Sequence, residues 1–363
     1  MTQVQSQEQV TTRSASKVGL LAPIVLIVVL ALLPLLNVSV PGLLPGPTYT
    51  PGTLQLLALA MLMASLALSY HLLLGVAGLL SFGHALYFGA GVYGLGVVLE
   101  QWEIPLAPAM LVVFVGCVLL ATALGAVSLR VTGIPFAMVT LAFAQAGSVL
   151  ARRDPGALTG GEEGLSLNTG PVPDFLVSVS NTRNLYWLAL VTVIVTYLVV
   201  RWVQSSRAGH VAEATRENEL RVRVLGMSPY RVKLVIFVAA GSIAGAVGMV
   251  YLLLQSSAVP TVVSADFTIS LLLMVVLGGV GSRWGAVAGA VIYTLLNQRL
   301  STLASSDFVQ GLPEIVQLPL SEPLFILGTL FVLVVLFLPG GIAGTTAALR
   351  TRYLNGRKTS EGE

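Results

Sequence analysis

Apolar residues run almost unbroken along the chain, and polar ones gather into a few short stretches. Ten apolar segments stand out, at 18–37, 54–74, 78–99, 106–128, 133–150, 185–203, 231–254, 267–281, 285–300 and 323–339. Most reach or approach the roughly 18–20 residues that an α-helix needs to cross a bilayer. The short alternating segments of a β-barrel are absent. The predicted fold class is all-α, a polytopic membrane protein of about ten transmembrane helices. The third segment and the eighth–ninth pair are rich in glycine, which makes one of them a candidate for a broken or re-entrant helix. Residues 1–17 are polar and predicted to be a disordered cytoplasmic N-terminus. The run 18–36 has no small-residue cleavage site and further spans follow it, so it reads as a retained first helix.

Composition agrees with this pattern. Of 363 residues, 55% are hydrophobic and only 10% charged, where a soluble domain carries about a quarter. Cys117 is the single cysteine, which leaves no disulfide framework or thiolate metal cluster. The net charge of +3 is better read as membrane orientation than as nucleic-acid binding. Arg13 and Lys17 place the N-terminus inside, and ten crossings bring Arg130, the stretch 207–233, Arg283 and the tail 346–363 to that same side. The other side receives Glu100, Glu103, the loop 151–184 and the loop 301–322 with Asp307, Glu314 and Glu322. Both termini are thus expected in the cytoplasm. The transmembrane domain is expected over 18–345, with a cytoplasmic loop at 204–232.

That loop is the most polar run between two long apolar segments. On a continuous helical wheel Val211, Ala214, Val222 and Leu225 share a stripe, interrupted by Asn218. The opposite side carries Glu213, Arg216, Glu219 and Arg223, with Glu219 and Arg223 in the favourable i,i+4 order. Leu220 and Val224 break that charged side and would be exposed unless a partner covers them. Gly226 reads as a helix stop, Ser228 as a cap and Pro229 as the first residue of the next helix. A solvated amphipathic connector and a docking helix both fit this spacing.

Four stretches, in order, resemble one family. They are "LLGVAGLLSFGHALYFGAGVYG" (73–94), "LRVTGIPFAMVTLAFAQ" with "LTGGEEGL" (129–165), "SSRAGHVAEATRENELRVRVLGMSPYRVKLVIFVAAGSIAGAVG" and "LLLMVVLGGVGSRWGAVAGA" (271–290) with "LFLPGGIAG" (336–344). Together they resemble permease subunits of ABC transporters for branched-chain amino acids, the LivM type. The resemblance covers nearly everything after residue 50. It implies the ABC importer permease fold in the plasma (inner) membrane of a prokaryote. It also implies a homologous second permease subunit, two ATPase subunits and an extracytoplasmic solute-binding protein as partners, besides membrane lipid. The cytoplasmic loop would be the coupling helix that docks into the ATPase, with Glu213, Arg216, Glu217, Glu219, Leu220, Arg223, Val224 and Gly226 carrying the contact. The family commonly has two alanines five and four residues before the glycine. Here Arg221 and Val222 stand there, a departure from that pattern, while Gly226 is kept.

Candidate chemistry is sparse. "GAGVYG" (89–94) fits a dinucleotide-binding pattern, but it lies in an apolar span without a strand before it. Its glycines, with Gly96, Gly241, Gly245, Gly281, Gly285 and Gly289, read instead as sites of close helix packing. No Walker A sequence occurs, so the chain itself is not expected to hydrolyse ATP. The three histidines, His71, His84 and His210, are scattered, and neither a metal site nor a cofactor is expected. Ser81, His84, Tyr87, Thr140 and Gln145 are candidates to line a substrate path, because an ionisable side chain at membrane depth usually faces a cavity or a partner. A histidine satisfied by a backbone carbonyl is the plainer alternative for His84, and interhelical hydrogen bonding for Thr140 and Gln145. A permease for urea or short amides shares nearly all these motifs. A stand-alone secondary transporter would carry midspan acidic residues, which the segments lack. No nucleophile–base pair supports a membrane enzyme.

Overall fold

The computed structural model describes residues 17–39, 44–177, 181–304, 322–337 and 340–344. The stretch 1–16, Asp307 and Glu314 of the predicted outer loop, part of the last motif and the tail 346–363 lie outside these residues. A helix stands at each of the ten predicted segments. These are α1 (Lys17–Leu32), α2 (Pro51–His71), α3 (His84–Trp102), α4 (Leu106–Ser128), α5 (Ile134–Arg153), α6 (Thr182–Ser205), α9 (Pro229–Gln255), α10 (Ala265–Gly278), α11 (Arg283–Ala304) and α12 (Pro323–Phe337). Between α6 and α9 come two short helices, α7 (Arg207–Glu217) and α8 (Glu219–Val224). Two-residue strands, Leu165–Ser166 and Ser257–Ala258, pair antiparallel and tie the 154–165 loop to the end of α9. Five stretches are long and apolar enough to cross a membrane: Pro51–Val76, Leu106–Ser128, Ile134–Arg153, Thr182–Ser205 and Pro229–Gln255.

Helix α2 is the axis of the bundle. It is apolar all round, and such a helix is buried on every side; α6, α9, α10 and α11 surround it. Helix α4 is equally apolar, yet it packs one side on α3 and α9 and leaves Leu111 and Leu119 exposed. In a bilayer that face meets lipid, where apolar exposure costs nothing.

The glycine-rich helices pack by backbone contact. Helices α3 and α9 run parallel, and a Cβ on Gly91 would fall 2.0 Å from the carbonyl oxygen of Gly245. A Cβ on Gly248 would fall 2.2 Å from that of Phe88. The α10–α11 hairpin closes similarly, since a Cβ on Gly289 would meet the Met274 carbonyl at 2.1 Å. This is close packing of the kind expected from small residues at helix interfaces. Gly281 is the exception: it sits in the turn with open space around it.

The third apolar segment is not one helix. Helix α2 ends in a π-helical turn, Leu72–Val76, and backbone without regular helical structure follows until α3 begins at His84. The start predicted at 78 is therefore six residues too early. Gly78, at φ +66°, turns the chain out of the helix, a conformation costly for residues with a Cβ.

Candidate functional site

Ala77, Leu79, Ser81 and Gly83 of the broken stretch 77–83 are buried while Gly78 and Leu80 are exposed, and a buried unpaired backbone N–H would cost free energy. Polar side chains from several helices meet these groups. Thr140 of α5 accepts through Oγ1 from the Phe82 N–H at 3.1 Å and donates to the Ala137 carbonyl. Thr268 of α10 accepts from the Ala85 N–H at 3.0 Å. Ser81 accepts from the Gly83 N–H at 3.3 Å. Tyr70 of α2 donates to the Ser81 carbonyl at 3.0 Å. At the first position of α3, His84 Nε2 lies 2.8 Å from Ser69 Oγ, and the ring stands edge-on to Tyr70 and Tyr87.

Of the five path candidates, the structure gathers Ser81, His84, Tyr87 and Thr140 around this break. Gln145 is apart, on the exposed side of α5 over a shallow depression shared with Ala146, Val149, Leu150, Arg153 and Pro155. His84 is paired with a serine hydroxyl instead of a backbone carbonyl. Ser69, Ser81, His84 and Thr268 are 0% exposed, so the cluster is sealed in this conformation. It offers hydroxyls and one imidazole, groups suited to hydrogen bonding without net charge. Among the described residues no group of three or more His, Cys, Asp or Glu could hold a metal ion. Ser69, Tyr70 and Thr268 were not among the predicted site residues: the first two lie at the end of the apolar α2 just before the break, and Thr268 lies on α10, far along the chain.

The 204–232 loop is built differently from the continuous wheel. Asn218, at φ −156° and ψ 99°, breaks it, and its side chain caps α8 by accepting from the Arg221 N–H at 2.9 Å. Asparagine competes with helical hydrogen bonding in this way and so favours a cap over a helix interior. The break rotates the second half of the loop. Ala212, Thr215 and Val222 are the buried residues beneath it, while Ala214 and Leu225 of the predicted stripe are exposed. Ser206 caps α7 by accepting from the Gly209 N–H. Ser228 occupies the cap position of α9 but makes no side-chain cap bond; Pro229 does begin the helix. Gly226 has φ +78°, with its N–H donating to Arg223 and that of Met227 to Val222, a glycine-terminated helix end as predicted.

The charged residues of the loop divide by contact. Glu219 Oε1 accepts from Arg223 at 2.5 Å and Oε2 from Lys233 at 2.6 Å. The Lys233 hydrogen bond holds its carboxyl below the ordinary glutamate value; burial opposes this, and the contact with Arg223 reinforces it. Glu213 accepts from Gln204 at 2.9 Å. Arg216 is exposed as a residue, yet its guanidinium donates to the Gly75 carbonyl of the π-turn. Glu217, Arg223 and Gly226 are exposed. So are Leu220 at 71%, Val224 at 80% and Leu225 at 69%, leaving an apolar patch on an otherwise charged surface. His210 is exposed against the Gln204 carbonyl, and His71 is buried at the end of α2.

With this geometry in hand, comparison with known proteins is informative. The family described as "Branched-chain amino acid transport system / permease component" matches residues 52–338. The chain is 25% identical over 318 residues to the high-affinity branched-chain amino acid transport system permease protein LivM of Escherichia coli, covering 81% of this chain and 71% of that one. It is 25% identical over 317 residues to the protein of the same name from Salmonella typhimurium, with the same coverage. It is 26% identical over 190 residues to a probable branched-chain amino acid transport permease protein LivM of Methanocaldococcus jannaschii, covering 51% of this chain and 53% of that one. No solved structure matches the chain. The family match runs from the start of α2 through α12 and includes both the broken stretch and the 204–232 loop, so this multi-pass helical membrane protein belongs to the branched-chain amino acid transport permease family.

Proposed function

We propose that the chain is the membrane permease subunit of an ATP-driven ABC importer, translocating branched-chain or similar amino acids. The observation that carries this reading is the family match over 52–338, joined to a loop whose Leu220, Val224 and Leu225 have no cover among the described residues. ATP hydrolysis then belongs to two separate ATPase subunits, and an extracytoplasmic solute-binding protein delivers the substrate. A homologous second permease completes the membrane part in the plasma (inner) membrane of a prokaryote, with both termini in the cytoplasm. Residues 1–17 and 346–363 are cytoplasmic tails, and the permease domain spans 18–345 with its coupling loop at 204–232.

In this reading α8, with Leu220, Val224 and Leu225, enters the ATPase. Glu219 and Arg223, paired to each other, stiffen it. Ser81, His84, Tyr87 and Thr140 flank the path. A neutral hydrogen-bonding wall suits a zwitterion with an apolar side chain, because it offers polar contacts without a net charge that would trap the substrate. Gln145 faces outward from α5, on a surface that a second permease subunit would cover.

The test is reconstitution of the chain with a second permease, ATPase subunits and a solute-binding protein from the same organism. Uptake of labelled leucine into vesicles should require ATP and the binding protein together. Uptake driven by an ion gradient with this chain alone would overturn the reading.

A further inference from the structure

Helix α7 packs on α6, α9 and the π-turn at the end of α2. In its last turn Arg216 donates from Nη1 to the Gly75 carbonyl. Its aliphatic stem lies on Gly78, where a Cβ would come 2.7 Å from Arg216 Cγ. Gly75 sits where regular helical hydrogen bonding stops, the kind of carbonyl that a helix end leaves for an outside donor. The fixed fork of a guanidinium can fill that role while its stem packs below. From this contact the chain reaches the buried cluster within a few residues. Leu79 N–H returns to the Leu73 carbonyl at 2.8 Å, the Ser81 carbonyl is held by Tyr70, the Phe82 N–H by Thr140, and His84 by Ser69. One non-helical stretch is therefore fastened to the cytoplasmic loop at its start and to the path candidates at its end. Leu220 and Val224 point away from the bundle, so this fastening and the exposed patch are separate parts of the loop.

We propose that Arg216 is a positioning residue that passes movement of the docked loop to the stretch 77–83 and so to the start of α3. The proposal deepens the ABC-permease reading and rests on it. Arg216 then acts in transmission, and docking belongs to α8.

The experiment uses the assembled transporter. Arg216→Met keeps the stem and removes the donors; Arg216→Lys keeps a charge and a donor without the fork. Three readouts are taken: retention of the ATPase subunits, stimulation of ATP hydrolysis by loaded binding protein, and thiol reactivity of Leu80→Cys in a Cys117→Ala background with and without ATP. Arg216→Met is expected to retain the ATPase while stimulation falls roughly fivefold or more, the lower end of what coupling between sites usually carries. The nucleotide dependence of Leu80→Cys labelling should vanish with it, and Arg216→Lys should lie between. Full stimulation with ATP-dependent labelling in Arg216→Met overturns the proposal. Loss of the ATPase also overturns it, by making Arg216 a docking residue. Where Arg216→Met accumulates poorly, Arg216→Lys decides: lowered stimulation in an intact complex supports the proposal, and wild-type stimulation ends it. A wild-type chain that retains no ATPase refutes the permease reading itself, and is told apart because it fails before any substitution is made.

Discussion

Replacing Leu220 and Val224 together by glutamate isolates docking from folding. Both side chains project from α8 with 71% and 80% of their surface exposed, so the change costs the isolated chain little. An ATPase surface that covers them gains more. Full burial of a leucine or valine is worth about 1.5–3 kcal/mol, and with roughly three quarters of each still exposed, about 1–2 kcal/mol per side chain remains to be gained. Two side chains give about 2–4 kcal/mol, and association costs are common to both variants. At about 1.4 kcal/mol per decade, affinity should fall roughly 30- to 700-fold. Burying two carboxylates without partners pushes in the same direction. The assay titrates the ATPase subunit onto purified permease in detergent, with thermal unfolding of the permease alone as the control. A double variant that binds with wild-type affinity and supports full stimulation refutes the reasoning, and α8 is then a solvated connector.

Three other outcomes are expected. Gly226→Val should lower the melting temperature and uncouple hydrolysis from uptake, because a left-handed φ costs a residue with a Cβ about 1–2 kcal/mol; Gly226→Ala should do less, since no atom lies within 4 Å of the added carbon. Cysteines placed at Glu163 and Arg221, both exposed, should label from opposite sides of intact cells with an impermeant reagent, and labelling of both from outside would sink the proposed topology. His84→Leu should reduce uptake while ATPase retention stays at wild-type level, and normal uptake would assign His84 to packing alone.

Much of the fold was legible in the chain because membrane helices announce themselves by length and hydropathy. Leu106–Ser128 coincides with its predicted bounds, since Pro105 and a polar run at 128–132 delimit it. The third segment misled because hydropathy does not report backbone conformation. "LLGVAGLLSFGHALYFG" is mostly apolar and carries no charged residue, and its break is made by Gly78 and by hydroxyls on other helices. Thr140 was legible as a polar candidate but its partner Phe82 was not, and Thr268 looks like an ordinary small residue of α10 until the fold sets it against Ala85. In the loop, Leu220 and Val224 were legible as uncovered apolar positions because they interrupt a charged face. The buried side was not, because a wheel drawn through Asn218 assumes a helix that Asn218 ends. Arg216 read as one more surface charge; its carbonyl partner is 141 residues away in sequence.

The parallel seam between α3 and α9 has a mechanical consequence. Where Gly91 faces Gly245 and Gly248 faces Phe88, main chain touches main chain, and no rotamer change between them can absorb a shift. Sliding or rolling one helix on the other would drive carbonyl oxygens into Cα atoms, which close-packed interiors resist. The two helices are therefore a single strut. The non-helical stretches ahead of its two helices, 77–83 before α3 and Gly226–Ser228 before α9, both adjoin the 204–232 loop. A displacement that reaches the start of either helix is therefore shared by the other, and Gly78 and Gly226, both at positive φ, mark the bends by which the chain enters the strut.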